Sequence, residues 1–69
     1  MSDPALLNAL REARTARGWT QAELAERVGV TRKTINTVEN GVFIPSTDLA
    51  LRLARALGTS VESLFQLPE

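Results

Sequence analysis

The chain has 69 residues, with eight basic and eight acidic side chains that cancel and neither cysteine nor histidine. Disulfides and a cysteine–histidine zinc site are thereby excluded, so a chain near the lower size limit for folding on one core must rely on helix packing, helped by self-association. With no glycine-rich phosphate loop, no histidine or cysteine nucleophile and no carboxylate pair on an apolar ground, the sequence holds no catalytic constellation. It predicts a non-enzyme without cofactor or metal.

The N-terminal MSDPALLNAL has no basic region before its apolar residues, and no stretch is long enough to span a bilayer, so the expected location is the cytoplasm. A single domain over residues 1–69 is expected, with no repeat, linker or small-molecule effector domain. Its first helix is predicted at about residues 5–17, where Leu6 and Leu10 share a face with Ala13. Arg14 continues that inward row, and a charge there needs a partner. Glu39, near the core edge of a later helix, is the best candidate, although a long basic side chain can also snorkel to water or touch a phosphate. Trp19, beside Gly18, reads as a half-buried packing residue rather than a platform for a ligand.

Residues 20–41 carry the most information. Thr20-x-x-Glu23 is a capping box, in which a hydroxyl and a carboxylate satisfy the free N–H groups at a helix start. Leu24, Ala25 and Val28 follow at helical spacing, and Gly29 suits the left-handed end of a helix over 21–28. Thr31 caps a second helix over about 32–40, with Ile35 and Val38 on its inner side and Asn40-Gly41 at its end. Three turn residues, Gly29, Val30 and Thr31, leave no room for antiparallel packing. The helices must cross steeply, with small Ala25 at the crossing, which is helix-turn-helix geometry.

A helix advances by about 100° per residue. With Arg32 at zero, Ile35 and Val38 point inward near 270°, so outward is near 90°. Lys33 and Asn40 lie within about 10° of outward, and Asn36 and Thr37 within about 50°, with Arg32 and Thr34 on the flanks. Lysine can donate to guanine O6 and N7, asparagine can pair bidentately with adenine N6 and N7, and a threonine methyl can meet that of thymine. Any surface helix has a polar face, but an acid-free face on a capped turn of this kind points to base edges in the major groove.

After Gly41 comes an apolar loop, Val42 to Pro45, and then Ser46 as the cap of a helix over 47–57 with Leu49, Leu53 and Leu57 buried and Gly58 as terminator. Thr59-x-x-Glu62 reads as a second capping box, opening a helix over about 60–66 in which Val61, Leu64 and Phe65 close the core. Phe43, Ile44, Leu51 and Leu67 are many apolar residues for so small a surface. Together with Val61 they are expected to form a dimer interface.

The chain resembles the Cro/C1 type of helix-turn-helix transcriptional regulators, the xenobiotic-response-element group. Gln21, Leu24, Ala25, Gly29, Val30, Ile35, Val38 and Glu39-Asn40-Gly41 stand at that family's spacing, and Pro45-Ser46, Leu49 to Leu57, Gly58 and Ser60-Val61-x-x-Leu64-Phe65 extend the likeness to roughly residues 6–66. Short cytolysin-repressor-like regulators are most similar. The resemblance implies an all-α, five-helix, lambda-repressor-like domain. It implies a DNA phosphate at Gln21 and at Asn40, base reading by Arg32, Lys33, Thr34, Asn36 and Thr37, and an internal Arg14–Glu39 ion pair. Gln21 at a helix start, where amide donors and the helix dipole favour an anion, and Thr31 and Asn40 are expected to position the protein on phosphates. Arg32-Lys33 departs from the Gln or Ser of many relatives, so their operator sequences do not carry over.

A neutral chain is unusual for a DNA binder. Residues 11–33, however, carry a surplus of three positive charges and the remainder a deficit of three. The expected function is therefore sequence-specific binding of double-stranded DNA, with modest non-specific affinity, by a homodimeric repressor on a palindromic operator. The alternative is an antitoxin or adaptor that uses the same fold for protein contacts, since fold does not fix function. Such a module should show apolar anchors where this helix shows Lys33, Asn36 and Thr37.

Overall fold

A computed structural model of the protein describes residues 7–68. Leu6, expected on the inner row of the first helix, lies outside that range. Five helices follow in chain order: α1 (Leu10–Ala16), α2 (Gln21–Val28), α3 (Arg32–Glu39), α4 (Thr47–Leu57) and α5 (Val61–Leu64). Two short strands, β1 (Leu7–Asn8) and β2 (Phe65–Gln66), pair antiparallel with Leu7 opposite Gln66 and Asn8 opposite Phe65.

The three central helices match the expected ranges to within one residue because their ends carry strong local signals. The Thr20 hydroxyl accepts the Glu23 N–H at 3.0 Å while the Glu23 carboxylate accepts the Thr20 N–H at 2.7 Å, completing the capping box. Gly29 takes φ 78° and its N–H donates to Ala25, ending α2 in the left-handed conformation that favours glycine. Thr31 and Ser46 cap α3 and α4 by accepting the N–H of Thr34 and Leu49. Two arginines finish the C-terminal ends: Arg52 donates to the Val28 carbonyl at 2.8 Å and Arg17 to the Leu57 carbonyl at 3.0 Å.

The outer elements depart from expectation. The first helix begins at Leu10 rather than near residue 5, because the Asn8 side-chain oxygen accepts the Leu10 N–H and the Ala9 N–H donates to Leu64. Residues 7–9 are thus held by the C-terminal segment and cannot form a helical turn. The last helix ends at Leu64 rather than 66, and Phe65 turns extended to join β2. Its cap is also different. Ser60, not Thr59, accepts the Ser63 N–H at 3.1 Å, and no Thr59–Glu62 box forms. The expected all-α domain therefore carries a small two-stranded clasp joining its ends.

Leu10, Leu24, Ile35, Leu53 and Leu64 are fully buried, so each helix sends one large side chain into a single core, joined by Val38 and closed by Phe65. Fully burying a leucine or isoleucine side chain stabilises by about 1.5–3 kcal/mol. Trp19 is half-buried against this core, as expected, with the Arg27 guanidinium 4.0 Å from its ring centre. No helix among the described residues is long and apolar enough to cross a membrane.

Candidate nucleic-acid interface

The outward face of α3 is set by its inward one. Ile35 and Val38 are buried, and Arg32, Lys33 and Asn36 are exposed on the opposite side, where they line a notch of about 290 Å³. Arg32 and Lys33 form no ion pair among the described residues, so both cations remain available. Thr34 and Thr37 are half-buried. The Thr34 hydroxyl lies 3.1 Å from that of Thr31, and the Thr37 hydroxyl donates to the Thr34 carbonyl, which leaves the Thr37 methyl as its variable surface.

Behind this face lies a polar hub centred on Glu39, whose side chain has no exposed surface. Arg14 donates to both carboxylate oxygens, from Nε at 2.6 Å and Nη2 at 3.1 Å, and its third donor closes on the Trp19 carbonyl at 2.8 Å. This is the expected Arg14–Glu39 pair, with Arg14 only 12% exposed. Burial pushes the Glu39 carboxyl upward, but the hydrogen bonds from Arg14, Gln21 and Arg11 and the Arg14 charge outweigh it, so the group is held below the usual carboxylate range. The hydrogen bond to Glu39 raises Arg14 in turn.

Gln21 and Asn40 join the hub to the reading face. Gln21 donates from Nε2 to Glu39 at 3.0 Å and to the Asn36 side-chain oxygen at 3.2 Å. Its side-chain donors are therefore both engaged, and the anion-binding groups left at the start of α2 are backbone N–H groups. Asn40 donates to the Asn36 backbone carbonyl at 2.9 Å and to its side-chain oxygen at 3.1 Å. Arg11, which sequence reasoning did not single out, donates to Glu39 at 3.3 Å and to the Asn40 oxygen at 3.0 Å, with half of its side chain exposed. The signal was its position three residues before Arg14, on the same side of α1. Asn8 was missed likewise. It donates to the Val38 carbonyl at 3.0 Å, and an asparagine two residues before the first buried leucine is a helix-start signal.

The apolar residues expected at a dimer interface divide into two groups. Leu51 is exposed and shares with Val61 an open groove of about 380 Å³, lined also by Pro45, Ala50 and Phe65. Val61 packs partly against the core as well. Phe43, Ile44 and Leu67 are exposed outside that groove, at 46%, 62% and 82%.

Residues 10–64 match a family model described as helix-turn-helix. An uncharacterised HTH-type transcriptional regulator of Methanothermobacter thermautotrophicus is 56% identical over 61 residues, covering 87% of this chain and 88% of that one. The restriction-modification controller protein C.AhdI of Aeromonas hydrophila superposes with TM-score 0.77 at 41% identity, over 81% of this chain and 85% of its own. SinR of Bacillus subtilis, a master regulator of biofilm formation solved in complex with DNA, superposes with TM-score 0.73 at 25% identity, over 78% of this chain and 87% of its own.

Proposed function

This chain belongs to the Cro/C1 type of helix-turn-helix, DNA-binding transcriptional regulators, and on that premise we propose that it represses transcription as a cytoplasmic homodimer bound to a near-palindromic operator. The observation that carries this reading is the notch on α3, where Arg32, Lys33 and Asn36 project together from a helix anchored by Ile35 and Val38. Arg32, Lys33, Thr34, Asn36 and Thr37 read bases. Gln21, through the start of α2, and Thr31 and Asn40 position phosphates on either side, Asn40 through the half-exposed Arg11 guanidinium that its oxygen holds, since both of its amide hydrogens are spent on Asn36. The DNA complex of SinR supports the mode of binding, and both structural relatives support a regulatory role.

One recognition helix covers only a few base pairs, whereas two related by a two-fold axis and about 34 Å apart reach successive major grooves on one side of the duplex. The apolar surface around Leu51, Val61, Phe43, Ile44 and Leu67 lies on the second half of the chain and supplies that contact. A dimer placed over promoter DNA represses by occupying it. Binding-site selection from random duplexes should return an inverted repeat, and sedimentation should show two chains per selected duplex. A chain that stays monomeric at high micromolar concentration and binds one per operator rules out the dimer. Unchanged transcription in vitro from a promoter carrying the occupied site rules out repression.

A further inference from the structure

Asn36 faces outward with only half of its amide available. Its side-chain oxygen accepts two hydrogen bonds, from Gln21 at 3.2 Å and from Asn40 at 3.1 Å. Side-chain amides can turn over, but the polarity of these two is fixed from behind. The Gln21 nitrogen also faces the Glu39 carboxylate at 3.0 Å, which Arg14 and Arg11 keep ionised and which can only accept. The Asn40 nitrogen also faces the Asn36 backbone carbonyl, another obligate acceptor, while its oxygen faces the guanidinium of Arg11, an obligate donor. Turning either amide would set donor against donor or acceptor against acceptor. The orientation of Asn36 is thus inherited from Glu39 and Arg11, and what it offers outward is an NH₂ group with no acceptor beside it. Arg32 and Lys33, which share the notch, can only donate as well.

We infer that Asn36 is a donor-only reader that selects a G·C pair through guanine O6 and N7. An unconstrained asparagine recognises adenine by donating to N7 and accepting from the N6 amino group, and the second bond needs the oxygen that Gln21 and Asn40 occupy. Guanine alone presents two adjacent acceptors on its major-groove edge. The inference rests on the DNA-reading role proposed above and specifies the chemistry of that role: the half-site is guanine-rich where α3 enters the groove.

The test is binding-site selection with the parent chain and with Asn36→Ala, followed by affinity measurements on duplexes substituted at single atoms. The position whose preference relaxes in Asn36→Ala should be a G·C pair. Replacing its guanine by 7-deazaguanine should weaken the parent by about tenfold and leave Asn36→Ala unaffected, a loss in the range of one specific base contact. In a Gln21→Ala, Asn40→Ala double variant, checked for folding by circular dichroism, the freed Asn36 oxygen should let adenine compete at that position. A relaxed position that is an A·T pair, or no relaxed position at all, overturns the inference while leaving the DNA-reading role intact. So does a folded double variant with the parent's guanine preference. Failure of the parent to enrich any sequence removes the DNA-reading role and the inference with it.

Discussion

Between residues 11 and 40 the side chains of Arg11, Arg14, Gln21 and Asn40 are linked around Glu39, whereas between 42 and 67 Val42, Phe43, Ile44, Leu51 and Leu67 remain exposed. The first region spends the Glu39 charge internally, on Arg14, Arg11 and Gln21, and leaves Arg32, Lys33 and Asn36 exposed on the outer face of α3. The second keeps Leu51 exposed in an open groove and Phe43, Ile44 and Leu67 exposed outside it. The proposed self-association would cover the second region with a surface like itself, while the hub backs the proposed reading helix from behind.

The largest expected effect comes from removing the centre of the hub. Glu39→Ala leaves Arg14 nearly buried with a single carbonyl as partner and frees the Gln21 donors. Breaking a buried pair by removing one partner costs about 3–5 kcal/mol, and the lower figure applies because Arg14 is not wholly enclosed. Urea unfolding of the parent and the variant measures the difference. A loss below about 1 kcal/mol, the level of a surface pair, would show that the hub does not hold the first region together.

Acid should dissect the same hub more gently. Because the folded Glu39 carboxyl lies below its unfolded value of about 4.3, its contribution is fully present above that pH and disappears as pH falls through the folded value. Stability of the parent should therefore decline below about pH 4. In Glu39→Ala that part of the decline should be missing. Unfolding free energies measured from pH 6 downward in both proteins check this, and parallel curves contradict it.

A smaller effect is expected where the two regions meet. Asn8→Ala removes the donor to the Val38 carbonyl and the acceptor for the Leu10 N–H, and so loosens the β1–β2 clasp. Loss of these two hydrogen bonds should cost about 1–2 kcal/mol in chemical unfolding. No measurable loss would mean that the clasp contributes nothing beyond the helices.

What could be read from the sequence follows the same division. The helix-turn-helix was legible because its signals are local: Thr20 and Glu23 lie three residues apart, Gly29 ends α2, and Ile35 with Val38 fixes which side of α3 faces outward. The Arg14–Glu39 pair was legible because a charge on an inward row demands a partner. Residues 7–9 were not, since the Leu6–Leu10 spacing favours a helix and the competing bonds come from Leu64 and Phe65, more than fifty residues away. The cap of α5 slipped by one residue because Thr59 and Ser60 are chemically equivalent candidates. Within the site, residue types could be assigned to α3 but not their polarity. Asn36 offers donor and acceptor on paper, and only Gln21 and Asn40, placed by folding, remove the acceptor.

The smallest change in monomer stability, and the sharpest test of the division, is Leu51→Lys. Leu51 is 58% exposed on α4, a position where lysine is a good helix former, so the isolated chain should lose no more than about 0.5 kcal/mol. If the groove is the self-association surface, a charge there must be desolvated to form the dimer, and association should weaken by at least tenfold in sedimentation. Association also makes thermal stability depend on concentration, since whatever binds the folded state alone stabilises it by mass action. The melting temperature of the parent should therefore rise with protein concentration and that of Leu51→Lys should not, the two converging at high dilution. Operator affinity should fall with the dimer although Leu51 lies on a different helix from Lys33 and Asn36. A variant that still sediments as the parent does would place the two-fold contact elsewhere, at Phe43, Ile44 and Leu67 outside the groove.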